Sequence, residues 1–133
     1  MSNADDARLA GRLSIAYMMA VAAEVLRMTS LDFLDILLVT AIADVNARAD
    51  AAGCPAGISR NALSRLLNVP LETVRRRVAN LMDKNVLLDK PGGLAFCADN
   101  AVGLGSNAAL DAFNLEKLRD LFRSLKAHGI ALE

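Results

Sequence analysis

Residues 58 to 90, ISRNALSRLLNVPLETVRRRVANLMDKNVLLDK, leave little freedom in how the chain can fold. Leu63, Leu66 and Leu67 recur at helical spacing, and so do Val74, Val78, Leu81 and Met82. The stretch therefore reads as two amphipathic helices, each with one apolar stripe to bury. Only a few residues remain for the turn between them. Asn68 accepts the left-handed backbone that stops a helix abruptly, and the fixed φ of Pro70 suits the start of the next one. Ser59 is placed to cap the first helix. Ser64 falls where the two helices come closest, and its small side chain permits that approach. The plainer reading is an antiparallel helix pair with a solvated basic face.

Charge gives this pair a chemistry. Over the whole chain 15 basic residues balance 15 acidic ones. Residues 59–90, however, hold Arg60, Arg65, Arg75, Arg76, Arg77, Lys84 and Lys90 against Glu72, Asp83 and Asp89, a local net charge of +4, while residues 1–58 carry −3 and residues 91–133 carry −1. A positive field confined to one helix pair is what phosphate contact and steering toward a polyanion require. Spacing and charge together point to a helix-turn-helix and to double-stranded DNA.

The flanks supply the rest of a small fold. Val86-Leu87-Leu88 and Leu94-Ala95-Phe96 read as strands joined through Asp89-Lys90-Pro91-Gly92-Gly93, and Ile58 adds a single short strand upstream. A first helix is expected over Ala7 to Met28, apolar round much of its circumference through Ile15, Met18, Met19, Ala22, Val25 and Leu26. A second is expected over Ser30 to Ala51, with Thr29 and Asp32 as a capping pair and Phe33, Leu34, Leu37, Leu38, Ala41, Ile42 and Val45 as its stripe. The run Ala52 to Gly57 ends it. Ala98 to Phe113 reads as a loop with helical character near Ala108 to Ala112. Asn114 then caps a last helix, Leu115 to His128, which Gly129 closes. A helix as apolar as the first is either central or shared with a second chain, so the first and last helices are the expected seat of a homodimer.

LSRLLNVPLETVRRRVANL, Leu63 to Leu81, followed by NVLLDKPGGLAF, Asn85 to Phe96, resembles the winged helix-turn-helix of bacterial transcription regulators. The piece LETVRRRV is especially similar to the recognition helix of the catabolite-activator (Crp/Fnr) regulators, in which a Glu-Thr-Val run is followed two residues later by an arginine. Size and element order look more like the MarR regulators, compact dimers with flanking helices. The resemblance implies a mainly α fold with a small β-hairpin wing, a winged helix-turn-helix over residues 30–97 flanked by an N-terminal dimerisation helix at 7–28 and a C-terminal helix at 114–128, all in one domain. It also implies a recognition helix at 70–84 in the major groove and a wing at 86–97 on the backbone or minor groove. By position, Glu72 and Arg76 would read base edges and Val74 would be core. Two departures leave the base preference open: Pro70 stands where those regulators usually place a Ser or Thr cap, and Leu71 where many have a polar base reader. The chain before the motif lacks the length and strand patterns of a cyclic-nucleotide domain.

Groove chemistry favours the same residues. Arginine pairs bidentately with guanine and glutamate accepts from cytosine, so Arg76 and Glu72 lead, with Thr73 and Arg75 next. For Glu72 the competing role is a first-turn acid stabilising the helix dipole. Arg77 partly shares the face of Val74 and would bridge to phosphate or to an acidic neighbour. Arg60, Asn61 and Arg65, on the preceding helix, and Lys90, at the hairpin tip, suit the phosphate backbone.

Other functions have little to stand on. The only histidine, His128, ends the last helix, and no nucleophile, base and orienting acid come together in sequence, so no enzyme is expected. Cys54 and Cys97 lie far apart with no histidine cluster, which argues against zinc, a disulfide framework or another cofactor and fits a reducing cytoplasm. The most apolar stretches, Leu13 to Leu26 and Leu31 to Ala43, are short for a bilayer and carry Glu24, Asp32 and Asp35, so no membrane span is expected. Tyr17, Met18 and Met19 are candidates to line an adaptable pocket for a small-molecule effector, beside the ordinary role of methionine in filling a core. A second functional class stays open: a winged-helix protein–protein interaction module that binds no DNA.

Overall fold

A computed structural model of the chain describes residues 3–51, 53, 57–97 and 108–131. In order the elements are α1 (Asn3–Met28), α2 (Phe33–Ala51), α3 (Arg60–Leu67), α4 (Leu71–Asp83), β1 (Leu87–Lys90), β2 (Gly93–Phe96) and α5 (Ala108–Ala127). The fold is mainly helical with one two-stranded antiparallel hairpin, as hydrophobic spacing predicts. It divides into two compact units, residues 28–106 and residues 1–27 with 107–133.

In the 28–106 unit, α2 is the platform against which α3, α4 and β2 pack. Leu38, Val39 and Ile42 of α2 meet Leu63 of α3, Val74, Val78 and Leu81 of α4, and Val86, Leu87 and Leu94 around the hairpin in a core closed to solvent. Burial of these aliphatic side chains, each contributing about 1.5–3 kcal/mol, is the main stabilising force. The face that α2 buries differs from expectation. Phe33 and Leu37 are exposed, whereas Val39 and Ala49 are buried. A helix apolar nearly all round carries no pattern that selects its inner side. Leu66 of α3 is likewise 60% exposed rather than part of the stripe.

Helix ends follow local chemistry closely. The Asp32 carboxylate accepts from the Asp35 amide at 2.9 Å, and the Thr29 hydroxyl accepts from the Leu31 amide at 3.3 Å, so α2 begins at Phe33 instead of Ser30. Ser59 caps α3 by accepting from the Ala62 amide at 3.1 Å. Asn68 takes the left-handed conformation, φ 54° and ψ 45°, that ends this helix. Ser64 closes the turn as well as allowing close approach: its hydroxyl donates to the Val69 carbonyl at 2.5 Å, and its own carbonyl accepts from the Val69 amide at 3.1 Å. Pro70 precedes α4 without capping it, and α4 ends at a second left-handed asparagine, Asn85, φ 60°. There the Asn85 and Val86 amides donate back to the Met82 and Leu81 carbonyls, the paired hydrogen bonds of a Schellman end, and turn the chain directly into β1.

The hairpin pairs Leu87 with Phe96, Leu88 with Ala95, Asp89 with Leu94 and Lys90 with Gly93, leaving only Pro91 and Gly92 as the loop. The strands thus reach further toward the turn than expected, and β1 starts one residue later. Proline at the first loop position rules out the primed turns that match strand twist, and Gly93 supplies the positive φ, 119°, instead. Ile58 forms the expected strand as a single bridge to Leu94 on the other edge of β2. From α2, Asn46 accepts from the Phe96 amide at 2.8 Å and donates to the Leu94 carbonyl at 3.4 Å, so one side chain ties the hairpin to the platform.

In the other unit, α1 and α5 are joined by a hydrogen bond from the Tyr17 hydroxyl to the Asn114 side chain. Asn114 is therefore an interior residue of α5 and not its cap, because the helix begins at Ala108. Of the expected loop, residues 98–107 lie outside the described residues, as do most of Ala52 to Gly57 and Cys54. Gly129, φ 73°, ends α5 as predicted. Tyr17 lines a groove with Leu13, Ala16 and Ala20 opposite Lys117, Leu121 and Ser124. Met18 and Met19 stand 59% and 65% exposed. Consecutive helical residues are about 100° apart, so the expected Tyr17–Met18–Met19 cluster does not share one face.

By length and composition alone α1, an unbroken 26-residue helix, is long and apolar enough to cross a membrane, although its stretch Leu13 to Leu26 reads as short for a bilayer in the sequence. Its charge-free run from Leu13 to Ala23, between Arg12 and Glu24, spans about 16 Å against a hydrocarbon thickness of about 30 Å.

Candidate nucleic-acid interface

Val74, Val78 and Leu81 occupy the buried side of α4. The opposite side, at about 100° per residue, carries Glu72, Arg76 and Asn80 in one row, all exposed. Arg76 makes no ion pair or side-chain hydrogen bond among the described residues. Arg75 lies to one side of this row and pairs with Glu72 at 2.7 Å, and Thr73 lies to the other, half-buried. The Arg75–Glu72 contact is an exposed i,i+3 pair of small energy, so a stronger anion can separate it. On α3, Asn61 and Arg65 are exposed on the side away from Leu63, and Lys90 is exposed beside the hairpin turn.

Two of the arginines singled out in the sequence are engaged within the fold. Arg60 places both terminal guanidinium nitrogens, Nη1 and Nη2, on Asp89 of β1, at 3.1 Å each, and also approaches the Met82 sulfur at 3.5 Å. It thereby binds α3 to the hairpin. Arg77 bonds to Asp32 and lies 3.4 Å from Asp35, in accord with the acidic-neighbour role. With these two paired across the fold and Arg75 on Glu72, Arg65, Arg76, Lys84 and Lys90 are the cations of residues 59–90 left without a partner among the described residues. Asn80 was not singled out by sequence reasoning. The signal was its spacing, four residues after Arg76 and eight after Glu72, and asparagine has the donor and acceptor pair that matches adenine.

The ion pairs carry a pH signature. The Asp35 amide, and then the Arg77 guanidinium, hold the Asp32 carboxyl below its ordinary range, and Arg60 does the same for Asp89. A depressed native pKa means that the unfolded chain binds more protons in acid. The contribution is therefore complete above the unfolded carboxylate range, near pH ~4, and is lost as pH falls through the native values. Thermal unfolding followed across acid pH is expected to show a declining midpoint for the wild type and a shallower decline for Asp32→Asn. Identical slopes would remove Asp32 from the linkage.

No group of three His, Cys, Asp or Glu side chains suited to a metal occurs among the described residues. Comparison with known proteins finds no matching family model, no matching curated protein and no matching solved structure.

Proposed function

We propose that the chain is a winged helix-turn-helix transcriptional regulator that binds double-stranded DNA sequence-specifically as a homodimer in the cytoplasm. In this reading α4 enters the major groove and the β1–β2 hairpin is the wing, resting on the backbone or minor groove. The observation that carries the reading is Arg76, exposed and unpaired on the outer face of α4, between Glu72 and Asn80 in one row. Such a row is suited to base edges, while the exposed Arg65 on α3, Lys84 at the end of α4 and Lys90 on the hairpin are suited to phosphates. The homodimer draws support from Ile15, Met18, Met19 and Leu26, which form an exposed apolar row on α1 away from the Tyr17 groove, and from exposed Leu115 and Phe122 on α5.

Arg76→Ala is expected to weaken binding to a selected cognate duplex by about 1–3 kcal/mol and to flatten preference at one base pair. Binding assays on cognate and random duplexes test this. Equal losses on both would reduce Arg76 to a phosphate contact. The second reading is a protein–protein interaction module, favoured by the exposed Phe33 and Leu37 one turn apart on α2 and by Leu66. A salt series separates the two, since phosphate contacts impose a steep dependence on ionic strength and apolar docking does not.

A further inference from the structure

We propose that Arg77 is a positioning residue: held by Asp32 and Asp35, it fixes the rotation of α4 about its own axis and thereby sets discrimination between DNA sequences rather than overall affinity. This rests on the DNA-binding reading above. Arg77 follows Arg76 in sequence yet lies about 100° round the helix, on the rim that faces α2. Its partners are Asp32, which caps α2, and Asp35, in the first turn of α2. The Asp32 carboxylate is itself fixed by accepting the Asp35 amide at 2.9 Å, so it is anchored to helix backbone rather than to a loose chain. Asp35 is buried, 9% exposed, and leaving it without its cation would be costly. That cost holds Arg77 in place when a phosphate competes for it.

The remaining contacts of α4 set its rotation only coarsely. Val74, Val78 and Leu81 decide which side turns inward, but they are aliphatic and apolar burial is non-directional, so the fine rotation is left to directional bonds. On the other rim Met82 meets Arg60 only through its sulfur, a weak acceptor. Charge-assisted hydrogen bonds are directional, and the arginine fork fixes orientation where a single ammonium does not. Arg76 and Asn80 project from the far side of the same helix, so a small roll displaces their hydrogen-bonding groups at the base edges. Such groups tolerate about 0.5 Å of misplacement.

Two variants, with Arg77→Gln as a third for phosphate contact, test the inference on the whole chain, with a duplex recovered by selection and a random duplex of equal length. Asp32→Asn keeps an oxygen able to cap α2 but removes the charge, and Arg77→Lys keeps the charge but removes the fork. In both, the cognate-to-random affinity ratio is expected to fall about tenfold. The salt slope should stay at the wild-type value for Arg77→Lys, and random-duplex affinity should rise for Asp32→Asn. An unchanged ratio in both variants, with only the melting temperature lowered, would make the triad purely structural and overturn the inference. So would a salt slope shallower by about 0.9 in Arg77→Gln, since Arg77 would then be touching phosphate. A wild-type chain that binds neither duplex overturns the DNA-binding reading itself and the inference with it, and that result is told apart by the wild type alone.

Discussion

Gly93→Ala is expected to destabilise the 28–106 unit by about 3 kcal/mol. The residue sits at φ 119°, a conformation that side-chain-bearing residues rarely adopt, and a Cβ there would approach the Ile58 amide nitrogen to 2.8 Å and its carbonyl carbon to 2.9 Å. Both obstacles are backbone, so no side chain can swing aside. Relief requires either opening the Ile58–Leu94 bridge or tilting the hairpin away from the segment before α3. Gly57 faces the same contact from the other side, where a Cβ would come within 2.5 Å of the Gly93 carbonyl carbon and the Leu94 oxygen. Gly57→Ala should therefore be similarly damaging. Gly11 provides the contrast. It lies within α1 with nothing near the site of a Cβ, so Gly11→Ala should stabilise by about 0.5–1 kcal/mol through helix propensity. Urea denaturation of the three variants would check the set. An unchanged midpoint for Gly93→Ala would contradict the close approach of the two segments.

The largest effect on the proposed activity is expected from Met18→Glu combined with Ala22→Lys. These positions are one turn apart on α1, Met18 59% exposed and Ala22 half-buried, so neither charge enters the closed core and their i,i+4 spacing favours the helix. If the apolar row of α1 joins two copies, burying the new charges opposes association and the chain becomes a monomer. Linked binding at two half-sites is then lost, and operator affinity should fall by about 100-fold or more. The half-sites of the wild-type operator should lie about one helical turn apart, or a multiple of that. Light scattering together with footprinting decides the point. A wild-type chain that is monomeric at micromolar concentration and protects a single half-site would sink the dimer. Unchanged circular dichroism in the double variant would exclude unfolding as the cause of any loss.

What the amino-acid sequence determined by itself was mostly local. Ser59 starting α3, Asn68 stopping it, Gly129 ending α5 and a turn at Pro91-Gly92 all follow from interactions within a few residues, where cap geometry and backbone preference suffice. The outward position of Arg76 also follows, since on an amphipathic helix the spacing from Val74, Val78 and Leu81 already gives the direction. Tertiary structure alone decided the rest. Which side of α2 turns inward depended on its neighbours, because a helix rich in Leu, Ile, Val and Ala on every side offers nearly equal burial in several rotations. Asn114 looked like a cap and became a partner for Tyr17, 97 residues away. Asn46 attracted no notice and came to hold two groups of β2. Arg60 looked like a contact for phosphate, yet it pairs with a carboxylate 29 residues distant; of the two roles open to Arg77, phosphate or an acidic neighbour, the fold supplies the acid, 45 residues away. A guanidinium pairs with whichever anion the fold brings near it, and that proximity is a property of the packed chain rather than of the residue's place in the sequence.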